Sequence, residues 1–170
     1  NAPRPNNTVI NFLENLGLDQ SKCKKVSTSG EVALKYLKSK YKALKFFHVG
    51  PPRDFDLFKS FEEFKVNNLD ESDFIICTGL YENFSKNLDY YKNLLKNKVD
   101  KKMVCTNPDL VVDRGSNREF CAGSIAKIFE DLGGYVEYFG KPYPLIYTQS
   151  ADIKNKQSLC IGDNLNTDIK

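Results

Sequence analysis

Residues 119–142 read EFCAGSIAKIFEDLGGYVEYFGKP. Phe120, Ser124, Ile128 and Leu132 recur at helical spacing, and Gly133 and Gly134 close the pattern. An apolar, β-prone run follows at 135–140 and ends at Gly140. Lys141 stands just past it, before a proline that can begin the next helix. Helix, stop, buried strand, helix start is the rhythm of an α/β chain, whose parallel strands are joined by helical crossovers.

The same rhythm runs outward from this stretch. Further β-prone runs stand at 25–28 (KVST), 44–50 (LKFFHVG), 73–79 (DFIICTG), 102–106 (KMVCT) and 158–162 (SLCIG). Few of them alternate apolar with polar residues, so they read as strands covered on both faces. Helical spacing joins Val9, Phe12, Leu13 and Leu16, then Val32, Ala33, Tyr36 and Leu37, then Phe84, Leu88, Tyr91 and Leu95. Asn6 or Asn7 caps the first of these helices and Gly17 stops it. The acidic, Asn-rich stretch 65–73 reads as a solvated loop, and no internal repeat is evident.

Composition narrows the function classes. A chain of 170 residues can bury a real core as one domain or two small ones. No apolar run approaches the roughly 18 residues that a membrane span needs. The net charge of +3 comes from scattered lysines, densest at 22–25 and 35–45, and not from the localised stripe of a nucleic-acid binder. The five cysteines are odd in number and widely spaced, no Cys-x-x-Cys occurs, and His48 is the one histidine. A zinc site is thereby disfavoured, and a reducing, cytoplasmic compartment is expected. His48 lies inside an apolar run and reads as a hydrogen-bonded structural residue.

In an open α/β sheet, functional groups gather beyond the C-terminal ends of the strands. Three such tips carry suitable residues: the hydroxyls of 25–30, Lys141 after Gly140, and Asp163 after Gly162, with Asp168 following. A lysine with two carboxylates matches phosphate chemistry with Mg²⁺, which takes one or two carboxylates, phosphate oxygens and retained water. The lysine supplies a compact positive charge. Each element alone is equally a common turn or a helix start.

In combination, GKPYPLIY (140–147) and CIGDNLNTDI (160–169) resemble the third and fourth motifs of the haloacid dehalogenase-like (HAD) hydrolases of class IIA, the group of NagD-like nucleotide phosphatases and 4-nitrophenylphosphatases. NAPRP (1–5) resembles the segment after that group's second motif, and TSGE (28–31) its passage from core to cap. TNPD (106–109) and FCAGSIAKIF (120–129) are similar to a cap strand end and the helix after it. The match runs through nearly the whole chain in the right order.

The resemblance implies a Rossmann-like parallel-sheet core, present in part at 1–40 and 135–170, with an inserted α/β cap domain at 41–134. It implies magnesium-dependent hydrolysis of a small phosphomonoester, of nucleotide or sugar-phosphate type, through an aspartyl-phosphate. Lys141 would neutralise the nucleophile and phosphoryl oxygens, Asp163 would bind Mg²⁺, and Asp168 would hold the metal's water shell or Lys141, with Asn164 supporting the loop. Asn1 and the cap residues Asn107, Asp109 and Arg114 are the implied substrate contacts, although Asn-Pro-Asp also favours turns for local reasons.

The family opens with an Asp-x-Asp strand ahead of its second motif, and no such strand precedes Asn1. The resemblance therefore implies an internal fragment, inactive by itself. A competing reading is a non-catalytic binding or regulatory α/β protein that retains the fold. A dinucleotide-binding module fits poorly, since no Gly-x-Gly-x-x-Gly follows any strand. The expected partner is the phosphomonoester, with no nucleic acid and no membrane, and a homo-oligomer is allowed.

Overall fold

Four apolar runs and one short polar one line up side by side as a parallel sheet. The computed structural model describes residues 1–19, 21, 25–150, 157, 159, 161–162, 164–165 and 167–168. In chain order the elements are α1 (Asn6–Asn15), α2 (Ser29–Lys40), β1 (Phe46–Val49), β2 (Lys65–Val66), β3 (Phe74–Cys77), α3 (Leu88–Leu95), β4 (Lys102–Cys105), β5 (Val111–Arg114), β6 (Asn117–Phe120), α4 (Ala122–Asp131), β7 (Tyr135–Tyr138) and α5 (Pro144–Ser150), with short 3-10 turns between β1 and α3. The sheet order is β2-β1-β3-β4-β7, every pair parallel, and β5 and β6 form a separate antiparallel hairpin. Among the described residues, no helix is long and apolar enough to cross a membrane.

The strands are buried on both faces, as continuous apolar runs require. Along β3, Phe74 and Ile76 enter one core with Val32, Leu37, Phe46, Phe58, Val104 and Ile146. Ile75 and Cys77 enter the opposite core with Tyr91, Leu95, Met103, Cys105, Ile125 and Phe129. This two-residue alternation places α2 and α5 on one face and α3 and α4 on the other. Most of these side chains are at or below 2% exposure, and fully burying one is worth about 1.5–3 kcal/mol. α1 differs: it is amphipathic, yet none of its residues is buried and Phe12 is 58% exposed.

Several expectations are corrected. The stretch 25–28 is no strand, because Thr28 is spent as the N-cap of α2, its hydroxyl accepting from Glu31 N at 3.1 Å. The run at 135–140, expected in a second sheet, instead extends the first one, with Cys105 opposite Tyr138. The loop at 65–73 contains the edge strand β2, which pairs with β1. The polar stretch after Asp109 folds as the β5–β6 hairpin, tied by Arg118 to Asp113 at 2.8 Å and by Arg114 to Glu119 at 3.2 Å. Of the strand expected at 158–162, residues 158 and 160 lie outside the described residues, and 159, 161 and 162 carry no strand.

His48 is the structural residue its apolar setting suggests. It is 5% exposed, its Nε2 meets Thr78 Oγ1 at 2.8 Å, and its ring packs edge-on against Phe55 and Phe58. Burial pushes its pKa down from 6.5 to about 3, helped by the nearby Lys65 charge. An unfolded chain thus binds this proton where the folded one refuses it, so stability is fullest above about 6.5 and declines as pH falls toward 3. His48→Gln is expected to remove that component. Urea titrations at several pH values between 6.5 and 3 should show proton uptake on unfolding reduced by up to one. An unchanged slope would show that His48 is accessible to protons in the folded protein.

Candidate active site

β4 and β7 end side by side, and the turns at their C-terminal ends build the site. After β4, the chain turns through Asn107, whose buried carboxamide accepts from Asp109 N at 3.2 Å. After β7, Phe139 N donates to Cys105 O at 2.9 Å, and Gly140 takes a φ of +123° that only glycine adopts readily. Lys141 comes next, joined to Pro142 by a cis bond, and Tyr143 N donates back to Gly140 O at 2.8 Å before α5 begins.

Asn1 joins the two turns. Its Oδ1 accepts from Lys141 N at 2.7 Å, and its Nδ2 donates to Lys141 O at 2.9 Å and to Asp109 Oδ1 at 2.8 Å. The carboxamide so pairs with Lys141 as a neighbouring peptide would. A Cβ on Gly140 would lie 2.5 Å from Asn1 Oδ1, so a side chain there would force Asn1 or the turn to move.

The rest of the first segment is laced onto the N-terminus of α2. Ala2 O accepts from Gly30 N and from Ser29 Oγ, both at 3.0 Å, and Arg4 O accepts from Thr28 Oγ1 at 2.6 Å. Gly30 makes this fit, since a Cβ there would meet backbone atoms of Pro3 and Arg4 at 2.7 Å. Farther along, Arg4 Nε approaches Asp54 Oδ1 at 3.6 Å. Asp54 is 3% exposed, and its burial pushes the carboxyl above the ordinary range against the pull of Thr78 and Arg4.

The lysine's other end is held as well. Its ammonium pairs with Asp168 Oδ1, and the Asp168 side chain is 7% exposed. Asp168 Oδ2 accepts from Asn164 N at 3.1 Å, and Asp168 N donates to Asn164 O at 2.8 Å, so Asn164 and Asp168 close a turn onto that carboxylate.

Of the residues singled out in the sequence, the structure gathers Asn1, Asp109, Lys141 and Asp168, with Asn164 shaping the last turn. Asn107 supports Asp109 from inside the turn. Arg114 is not in the cluster: it sits on the hairpin, paired with Glu119 and 62% exposed. Asp163 lies outside the described residues. Among the described residues, no group of three or more His, Cys, Asp or Glu side chains could hold a metal ion. Sequence reasoning missed Asp54 and the role of the two close-approach glycines. Gly30, within TSGE, was a legible signal for backbone contact, whereas nothing in RDFDLF marks which aspartate is buried.

Gly140→Ala is expected to destabilise the protein by roughly 1–3 kcal/mol, through backbone strain and the clash with Asn1. A thermal melt lower by several degrees checks this. An unchanged melt would mean that Asn1 does not seat against this turn.

No protein-family model matches the sequence, and no curated protein matches it. Among solved structures, a haloacid dehalogenase-like family hydrolase from Brucella suis 1330 is 27% identical with a TM-score of 0.84, over 99% of this chain and 65% of that one. A p-nitrophenyl phosphatase from Archaeoglobus fulgidus is 18% identical with a TM-score of 0.70, over 99% and 65%. A thermostable NPPase double mutant from Geobacillus stearothermophilus is 21% identical with a TM-score of 0.68, over 99% and 68%; at such identities these two likenesses speak for the fold. The chain thus spans about two thirds of the length of these proteins. With a parallel sheet of this topology and the Gly-Lys-Pro turn seated at its C-terminal edge, the chain shares its fold with the haloacid dehalogenase-like hydrolase it matches at 27% identity, and is similar as well to a putative nagD protein.

Proposed function

We propose that these residues form the lysine- and acid-bearing part of a phosphatase that hydrolyses small phosphomonoesters. The observation that carries this reading is Lys141, its ammonium paired with the nearly buried Asp168 and its backbone paired with Asn1. An ammonium fixed in place before the substrate arrives can stabilise phosphoryl oxygens without reorganising, which is the effective form of electrostatic catalysis. The nucleophile is read as an aspartate from a part of the protein outside these 170 residues, forming an aspartyl-phosphate that water then cleaves.

The five-stranded sheet with α2, α3 and α4 is read as the cap. Because β7 belongs to that sheet, we place the cap's C-terminal border near Gly140 and not at residue 134. Its C-terminal edge faces the segment 1–6, which supports closure of the cap over the reacting groups and exclusion of water from them.

Magnesium enters this reading through Asp163. The described acid beside Lys141, Asp168, is engaged with the lysine, and the described residues alone offer no metal cage. Mg²⁺ nevertheless needs only one or two protein carboxylates, and Asp163 stands one residue before Asn164, whose N–H donates to Asp168. When bound there, the ion would offset negative charge on the phosphoryl oxygens.

The test is hydrolysis of 4-nitrophenyl phosphate by the full-length protein. Lys141→Ala should lower kcat by about 10²–10³-fold. Asp163→Asn should raise the magnesium midpoint about tenfold or more, since a neutral amide replaces a charged ligand. A wild-type protein that releases no phosphate from any of a panel of phosphomonoesters would overturn the phosphatase reading. An unmoved magnesium midpoint would take the metal away from Asp163.

A further inference from the structure

We propose that Asp109 is a positioning residue for Lys141, acting through the Asn1 carboxamide, and not a reader of the leaving group. The proposal rests on the phosphatase reading for its consequence, but its geometry stands by itself. Asp109 is held on three sides: its N–H donates to Asn107 Oδ1 at 3.2 Å, its carbonyl accepts from Gly123 N at 3.1 Å, and its carboxylate accepts from Asn1 Nδ2 at 2.8 Å. A carboxylate already engaged and carried on a backbone held at both its N–H and its C=O suits the orienting of another group. A group that must adapt to differing leaving groups would be left freer.

What it orients is specific. A carboxamide can be turned two ways, and only one puts the carbonyl toward Lys141 N and the NH₂ toward Lys141 O. An ionised carboxylate accepts only, so Asp109 draws the NH₂ to its own side and favours that same orientation. The two protons of Nδ2 then serve Lys141 O and Asp109 Oδ1, and the carbonyl is left for Lys141 N. Asp109 at the end of β4 and Lys141 at the end of β7 become locked to each other through one amide group. Without that lock the Lys141 backbone loses both of its hydrogen bonds to Asn1 beyond the end of β7, and its ammonium leaves the direction set by Asp168.

The test uses the full-length protein and the variants Asn1→Ala, Asp109→Asn, Asn1→Asp, and the doubles Asn1→Ala/Asp109→Asn and Asn1→Asp/Asp109→Asn. Amide hydrogen exchange at Lys141 reports the lock whether or not the protein is a phosphatase. Asn1→Ala should speed that exchange about tenfold, the worth of one lost hydrogen bond, and Asp109→Asn, which keeps an acceptor but no longer fixes the orientation of the carboxamide, should speed it about threefold.

Each single variant should lower kcat by a factor common to 4-nitrophenyl phosphate, a sugar phosphate and a nucleoside monophosphate, about tenfold for Asn1→Ala and about threefold for Asp109→Asn, while KM moves less than about twofold. Asn1→Ala/Asp109→Asn should be no worse than its worse parent. Asn1→Asp sets two carboxylates together and should lose more. Adding Asp109→Asn to it removes the repulsion and should restore part of the activity, which a merely structural defect would not do.

Unchanged exchange at Lys141 in Asp109→Asn overturns the proposal. So does a loss from Asp109→Asn that differs more than about fivefold among the esters, or a failure of Asp109→Asn to rescue Asn1→Asp. A wild type inactive on every ester overturns the phosphatase reading instead, and the exchange measurement still decides the role of Asp109.

Discussion

The parallel pairing of β4 with β7 is the constraint on which the site depends. Cys105 stands opposite Tyr138, and Phe139 N continues the ladder by donating to Cys105 O at 2.9 Å. Parallel neighbours deliver both of their C-terminal ends to one edge, so the Asn107–Asp109 turn and the Gly140–Lys141 turn leave the sheet together. An antiparallel partner would have sent Lys141 to the far edge. The register is enforced by the interior, because a slip of one residue would move Met103 and Cys105 out of one core and Val104 out of the other. Placement of a charged side chain at the surface is thus decided by apolar packing within the sheet.

The same edge carries polar groups that the interior tolerates only because they are paired. Thr106 is fully buried and donates to Cys77 O at 3.3 Å. Thr78 joins His48, and Tyr81 Oη donates to His48 O at 2.9 Å. Asp54 is the costliest member, a nearly buried carboxylate whose partner Arg4 is one third exposed. Desolvating such a pair offsets much of its attraction, so its value lies more in where it holds Arg4 than in stability gained. Taken with the bonds from Ser29 and Gly30 to Ala2, it fixes residues 1–4 along the edge of the sheet.

Strand existence was legible wherever an apolar run had to be covered on both faces. The runs 44–50, 73–79, 102–106 and 135–140 all became strands of one sheet. Partnership was not legible, since periodicity says which residues are buried but not which strand they meet, and β7 went to the sheet of β4 against expectation. KVST failed for a local reason: β-branched residues suit a strand, but Thr28 stands three residues before Glu31, at capping distance for α2. The hairpin at 111–120 was hidden by its polarity, because its pairing draws on exposed charges and leaves no buried stripe to detect. Within the site, Lys141, Asp168 and Asp109 were visible as charged residues after strand tips or in a motif. The Asn1 contacts span 108 and 140 residues of sequence, a separation at which no local pattern carries information.

An asparagine suits that junction for a reason internal to its chemistry. Pairing with a peptide group requires one donor and one acceptor at fixed spacing, which a carboxamide supplies and a carboxylate or hydroxyl does not. Asp in its place could accept from Lys141 N but would face Lys141 O and Asp109 with like charge. Lys141 is consequently tied at both ends, by Asn1 at its peptide and by Asp168 at its ammonium. A lysine held only at the ammonium would keep its backbone freedom, and one held only at the backbone would keep its rotamers, worth up to about 2 kcal/mol. Fixing both ends moves that entropy loss into folding, where the buried sheet offsets it. In the phosphatase proposed above, the charge would meet an incoming phosphate already in position, with less ordering left to oppose binding.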